Sequence, residues 1–264
     1  MKTSFYDLPL LTAPGRVFTP RPSTERLVDE ALQRIDGVPM RIADVGTGSG
    51  AVAIALAVNR PNVEVWATDT SAAAVELARK NAKLHGVEDR VHVLEGDLLE
   101  PLTEPVDLVV ANLPYLPEQA RDPRYDNEPP EAVYAPGDGL DPYRRLLNAC
   151  RDGKLETGGT LLIQFHRNAL AANCWELEDL REQLEDPGGL FRGQADAMVA
   201  DLDHHALVVG LRAHFNRGAG VGILRRVAEQ FGEHLRQPVR IGLDWQRGVG
   251  QGDPQRVHAV LQPR

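Results

Sequence analysis

Apolar positions along the chain change period repeatedly, from helical spacing to short continuous runs and back. Leu27, Val28, Ala31, Leu32 and Ile35 share one helical face, and Ser23 or Thr24 ahead of them can cap a helix running to about Ile35. Arg41–Val45 is a short apolar strand, followed by a glycine-rich turn and a helix over Ala51–Asn59 that Pro61 stops. Val63–Thr68 reads as the next strand, and Ser71 caps a helix to about His85, with Gly86 as its C-terminal stop. Further strands fall at Val91–Glu95, Leu108–Ala111 and Thr160–Phe165, with a helix over Pro142–Arg151 before the last of these. A helix near Leu170–Glu185 precedes strands near Met198–Ala200 and Ala206–Leu211. The five residues between those two strands make them an antiparallel hairpin at one sheet edge. Alternating helices and wholly apolar strands predict a doubly wound α/β domain, its mostly parallel sheet covered on both faces.

Composition narrows this picture only a little. At 264 residues, with 42% hydrophobic and 25% charged residues, the chain suits one large α/β domain plus an appendage. The pattern divides it into an N-terminal arm and first helix over residues 1–40, a main domain over 41–212 and a C-terminal extension over 213–264. Leu211–Arg264 carries nine arginines against four acids, a net +5 that leaves −14 on the preceding residues. An Arg-rich solvated surface accounts for that contrast, and the overall charge of −9 argues against general affinity for nucleic acid. No apolar run approaches the roughly 18 residues of a membrane span, and the first residues lack a signal-peptide pattern. With only Cys150 and Cys174, both read as core residues, the expectation is a reducing cytoplasm and no metal site. Residues 117–142 are rich in Pro, Asp and Glu, lack periodicity, and read as a long functional loop.

The chemistry concentrates at strand ends. Asp44-Val45-Gly46-Thr47-Gly48-Ser49-Gly50 joins a strand to a helix, where glycines let backbone approach a ligand and the helix N-terminus offers N–H groups. Asp69 ends the next strand, where a carboxylate can accept both hydroxyls of a ribose, and Asp97 after the third can meet an adenine or its amine. The glycine spacing alone also admits a nicotinamide dinucleotide. The fourth strand separates the two: it runs into Asn112-Leu113-Pro114-Tyr115. An Asn oxygen and a neighbouring main-chain carbonyl can each accept one N–H of a planar NH2 group, aiming its lone pair at a methyl donor.

These segments resemble the release-factor glutamine methyltransferases, which use S-adenosyl-L-methionine. The resemblance runs from about Val17 to Leu211 and rests on Thr19-Pro20-Arg21-Pro22-Ser23-Thr24-Glu25, the Gly46–Gly50 turn, Asp69, Asn112–Tyr115, Glu128-Pro129 and Gly137–Arg145. It implies a Rossmann-like methyltransferase sheet, with cofactor contacts at Gly46, Thr47, Gly48, Ser49, Gly50, Asp69, Asn112 and Leu98, the last near the adenine. It also implies that Asn112, Pro114 and Tyr115 form the catalytic clamp, with Leu113 supplying backbone and Arg21 among the substrate contacts. The implied partner is a protein, a release factor or ribosomal protein. The family usually has a proline where Leu113 stands, a Glu where Gln164 stands, and a helical N-terminal domain for which only about 18 residues remain here.

Asn-Leu-Pro-Tyr is also typical of enzymes that methylate adenine N6 in RNA, so a nucleic-acid acceptor is the second reading. A non-catalytic cofactor-binding scaffold is the third. Other tempting residues have plainer readings: His204 and His205 as a surface hairpin, Glu176–Asp186 as a solvated helix face, and Gly218–Gly222 as a turn. The helix Ile223–Leu235 admits two readings equally: its Arg225, Arg226 and nearby Arg236 can contact an acidic partner or RNA, or its Ile223, Leu224, Val227 and Phe231 face can pack on the main domain.

Overall fold

The computed structural model describes residues 1–166, 192–201 and 206–214. The chain opens with a hairpin, β1 (Lys2–Phe5) and β2 (Leu8–Leu11), in which Phe5 faces Leu8 across the turn. Tyr6 and Asp7 both hold positive φ, 51° and 60°, the backbone a two-residue primed turn needs but that glycine or asparagine usually supplies. Helix α1 (Pro22–Leu32) holds that turn in place. Glu25 Oε1 accepts the Tyr6 N–H at 2.9 Å, and the Tyr6 hydroxyl donates to Asp29 at 2.9 Å. The N-terminal arm therefore packs on the main body, with Phe5 and Leu10 buried in the same core as Leu27 and Val28.

Strands β3 (Met40–Val45), β4 (Val63–Asp69), β5 (Val91–Glu95) and β6 (Val106–Ala111) alternate with helices α2 (Ala51–Asn59) and α3 (Ala72–Leu84). The segment after β6 carries two-residue strands β7 (Leu116–Pro117) and β8 (Tyr134–Ala135), which pair in parallel and close residues 118–133 into a loop. Helix α4 (Asp141–Ala149) leads to β9 (Leu155–His166), and β10 (Arg192–Asp201) and β11 (Ala206–His214) complete the sheet. Its seven strands lie in the order β10-β11-β9-β6-β3-β4-β5. The five from β9 to β5 are parallel, while β11 runs antiparallel to both β9 and β10. This is the doubly wound α/β sheet and edge hairpin that the pattern predicts. No described helix is long and apolar enough to cross a membrane.

Strand alternation sends side chains to two cores. Ile42, Val65, Leu108, Val110 and Leu162 meet α1, α2 and α3 on one face. Ala43, Val45, Val109, Ala111, Leu161 and Ile163 meet α4 on the other. Helix α2 is buried without a break from Ala51 to Ala57, so it has no polar stripe and stands as a core helix. Cys150 is buried in the α4 core, as expected. The chain reverses direction across the sheet between β3 and β6, where Val45 pairs with Ala111. Open α/β sheets bind ligands in the crevice at such a switch point, beyond the carboxyl ends of the strands. The readings of Cys174, His204, His205, Gly218–Gly222, the helices at 170–185 and 223–235, and nearly all of the extension at 213–264 lie outside the described residues.

Candidate active site

The switch point opens into a cavity of about 580 Å³, within the size range of small-molecule and cofactor sites. Two chain segments leave adjacent strands there, the Gly46 turn after β3 and Asn112–Tyr115 after β6. Backbone bonds fasten the turn to β4, since Gly46 and Thr47 both donate to the Thr68 carbonyl at 2.9 Å. Gly46 carries a positive φ of 71°, and a Cβ there would lie 2.8 Å from Leu113 Cδ2. Leu113 is therefore a packing residue that seals the turn against the Asn112 segment, and only glycine fits beneath it.

Asp44 ends β3 beneath the turn, and its Oδ2 accepts from Thr47 Oγ1 at 2.7 Å and from the Ala53 N–H at 3.0 Å. The second bond caps α2 from outside the helix, because Gly50 at its N-cap has no side chain to offer. Burial pushes the Asp44 carboxyl up to about 6, with the nearby Asp69 charge adding to the rise and the two hydrogen bonds opposing it. Asp69 accepts the Gly48 N–H on one oxygen and the Ser71 N–H on the other, each at 2.9 Å. A carboxylate has about four acceptor positions, so both oxygens keep capacity for hydroxyl donors. Burial raises this carboxyl too, against the pull of its two backbone donors.

Every candidate picked from the sequence lines the cavity except Gly50. Gly50 sits behind the turn, where a Cβ would come within 3.2 Å of Ala78 on α3, so its role is close helix packing. Asp97 lines the cavity but is ion-paired with Arg145. Leu98 adopts a positive φ of 48°, and its carbonyl accepts from Thr68 Oγ1 at 2.7 Å, which holds this unusual backbone in place. Arg21, expected among the substrate contacts, lines the cavity at its rim. It pairs with Glu128 at 2.7 Å and lies over the Phe18 and Tyr125 rings. Glu128 also accepts the Thr19 N–H, so the two proline-containing motifs, more than 100 residues apart, meet at the cavity rim.

Around Asn112 the structure adds three residues that pattern did not assign. Thr24, expected as a helix cap, is instead inside α1, which starts at Pro22 with Arg21 as its N-cap. Its Oγ1 accepts from Asn112 Nδ2 at 3.2 Å, leaving Asn112 Oδ1 to accept an incoming N–H. Tyr143 on α4 is buried, and its hydroxyl accepts the Leu113 N–H at 3.0 Å. The same oxygen lies 3.0 Å from the Leu113 carbonyl and 2.9 Å from that of Gln164, so the phenol braces the clamp backbone from the core side. Gln164 on β9 lines the cavity, one residue past the Ile163 that pairs with Ala111, and so lies beside Asn112. Tyr115 stays protonated, its phenol pushed up by burial and by Tyr125 beside it. A Cβ at Gly139 would lie 2.3 Å from the Tyr115 carbonyl oxygen, so the Gly137–Arg145 segment supports the clamp through a glycine contact.

Residues 23–126 match the family model "Methyltransferase small domain". The chain is 42% identical over 170 residues to the release factor glutamine methyltransferase of Xylella fastidiosa (strain 9a5c), covering 62% of this chain and 60% of that one. It is 44% identical over 179 residues to that of Deinococcus radiodurans, covering 64% and 63%. The chain thus spans about 60% of the length of these curated relatives. A ribosomal protein L11 methylase from Lactobacillus delbrueckii subsp. bulgaricus shares the fold, with a TM-score of 0.54 at 22% identity over 76% of this chain and 83% of that one. Over the domain that builds the cavity, this chain is similar in sequence to the release factor glutamine methyltransferases.

Proposed function

We propose that the chain is an S-adenosyl-L-methionine-dependent N-methyltransferase that acts on a glutamine side-chain amide of a protein, a release factor first among them. The observation that carries this reading is the Asn112 amide, fixed by Thr24 with its oxygen left to accept, next to a glycine turn and Asp69. The residues present fit the cofactor. Gly46, Thr47, Gly48 and Ser49 would lie along its amino-acid part and Asp69 along its ribose, with Leu98 beside the base. The Ser49 hydroxyl is buried at the cavity without a hydrogen-bond partner, which suits a polar ligand on that turn. When bound, S-adenosyl-L-methionine supplies an electrophilic methyl group on its sulfonium and departs as the thioether.

The chain's own residues then do the positioning. An amide nitrogen is a weak nucleophile because its lone pair is delocalised into the carbonyl. Asn112 Oδ1 takes one N–H of the NH2 group, and the Leu113 or Pro114 carbonyl takes the other. Leu113 O keeps a second lone pair beside its contact with Tyr143. Two such bonds favour a pyramidal nitrogen whose lone pair faces the methyl group, and fixed geometry of this kind supplies a large share of an enzyme's acceleration. The nitrogen gains the methyl group and releases one proton to solvent, so no strong base is needed. Tyr115 packs the acceptor as a neutral phenol. The Arg21–Glu128 pair fixes the rim.

The test is label transfer from radioactive S-adenosyl-L-methionine into cell extract, followed by protease or ribonuclease. Label should follow protease-sensitive material, and Asn112→Ala should abolish it while cofactor affinity stays within about threefold. Label lost to ribonuclease would replace the glutamine acceptor with an adenine. Near-normal turnover by the Asn112 variant would remove the clamp.

A further inference from the structure

We propose that Gln164 recognises the methyl acceptor, its buried side-chain oxygen accepting a further N–H of the acceptor molecule beside the NH2 group that Asn112 and the Leu113 or Pro114 carbonyl hold. Gln164 is 4% exposed and lines the cavity, yet its Oε1 has no hydrogen-bond partner. Folded proteins seldom leave a buried polar atom unpaired, because the lost hydration is not returned. The buried polar residues nearby obey that rule, with Thr24, Asp44, Asn81 and Glu128 all bonded. Four buried side-chain atoms among the described residues break it. Two are arginine Nε atoms whose guanidinium groups are otherwise ion-paired. The other two, Ser49 Oγ and Gln164 Oε1, belong to residues that line this one cavity.

Strand geometry says which part of the cavity Gln164 serves. β6 and β9 are parallel neighbours with Ala111 opposite Ile163, so Asn112 and Gln164 are the next residues side by side. Ala111 and Ile163 both point into the α4 core, while Val110 and Leu162 point to the α1 face. By alternation Asn112 and Gln164 both project to the α1 face, one strand spacing apart. Asn112 reaches Thr24 of α1 there, which agrees. Tyr143 holds the Gln164 carbonyl and the Leu113 peptide with one oxygen, so the two strand ends keep a fixed spacing. An NH2-bearing group clamped by Asn112 therefore lies next to an unpartnered acceptor.

This inference rests on the methyltransferase reading, and one set of experiments separates the two. Wild type is first offered radioactive S-adenosyl-L-methionine with a glutamine-bearing release factor and, separately, with an adenine-bearing RNA. Kinetics of Gln164→Leu and Gln164→Glu are then measured on the acceptor that takes label, with cofactor affinity by calorimetry and thermal midpoints alongside. Leu cannot accept a hydrogen bond, so its KM for the acceptor should rise about tenfold. Glu retains an acceptor oxygen and should stay within about threefold of wild type. The Leu variant should keep its cofactor affinity and unfold no earlier than wild type, since it removes an unpaired buried atom. An unchanged acceptor KM in Gln164→Leu overturns the proposal. So does a fall in its thermal midpoint with a matching loss of cofactor affinity, the signature of a structural role. Label in neither acceptor, seen with wild type before any variant is compared, overturns the methyltransferase reading itself and this inference with it.

Discussion

Replacing Tyr143 by Phe removes one oxygen atom and tests whether the clamp is braced from behind. That hydroxyl accepts the Leu113 N–H and lies within hydrogen-bond distance of the Leu113 and Gln164 carbonyls. It has a single proton, so it donates to one carbonyl at a time. In the Phe variant the buried Leu113 N–H loses its acceptor, a cost of about 1–3 kcal/mol, and one carbonyl loses its donor at about 1 kcal/mol more. The ring still fills its site between α4 and the sheet, so little cavity cost is added. The sum is about 2–4 kcal/mol, or roughly 5–10 °C in thermal midpoint for a domain of this size. Urea denaturation measures the first figure and a thermal melt the second. At a temperature where both proteins are folded, kcat should fall roughly tenfold, because the Leu113 peptide loses its anchor. A variant that unfolds within about 0.5 kcal/mol of wild type would refute the bracing role.

Asp44 gives a pH signature. Its carboxyl sits at about 6 in the folded protein against an ordinary value of 3.8, so between those values the folded chain holds a proton the unfolded chain has lost. Stability should therefore decline by about 3 kcal/mol as pH rises from about 4 to about 6, and Asp44→Asn should lack that slope in urea titrations. Cofactor affinity should weaken as pH falls through about 6, because a cationic ligand beside Asp44 favours the ionised carboxylate; calorimetry at pH 5 and pH 8 reads this. Asn81→Ala should weaken binding of S-adenosylhomocysteine roughly tenfold. Its side chain accepts the Leu11 N–H and donates to the Leu11 and Ser49 carbonyls, tying the first hairpin to the glycine turn. An unchanged Kd would show that the turn stands without it. Gly139→Ala places a methyl group against the Tyr115 carbonyl at a φ of 89°, and should cost about 1–3 kcal/mol in stability and most of the turnover. A fully active Ala variant would mean that the clamp backbone yields freely.

The central sheet was legible because its strands are apolar runs bounded by strong punctuation. Ala51–Asn59 and Val91–Glu95 were read with the boundaries the structure has, the first stopped at Pro61 and the second ending before Gly96. The first hairpin was invisible, since Tyr6-Asp7 lacks the glycine or asparagine that marks a primed turn and depends on Glu25 and Asp29 of a distant helix. For the same kind of reason the sequence offers Thr24 as a cap although it lies inside the helix. Ser and Thr ahead of an apolar helical face are local signals, while its bond to Asn112 spans 88 residues. The glycine turn, Asp69 and Asn112 were legible because a ligand needs them at strand ends. Tyr143 had no such signal, as an aromatic residue on an amphipathic helix reads as core packing, which it also is. Gln164 stood out in the sequence only as a substitution, and gained meaning once its oxygen was found buried and unpaired.

The Arg21–Glu128 pair lies at the rim, whereas Asn112 is held by Thr24 and the Leu113 backbone by Tyr143. The rim and the Asn112 segment are thereby held by separate sets of contacts. A loop between β7 and β8 can be exchanged for another of similar span without disturbing the clamp, provided it keeps a carboxylate for Arg21 and a phenol where Tyr125 meets Tyr115. A cavity divided in this way can change what passes its doorway while its interior stays as built, which makes residues 118–133 the natural segment to vary.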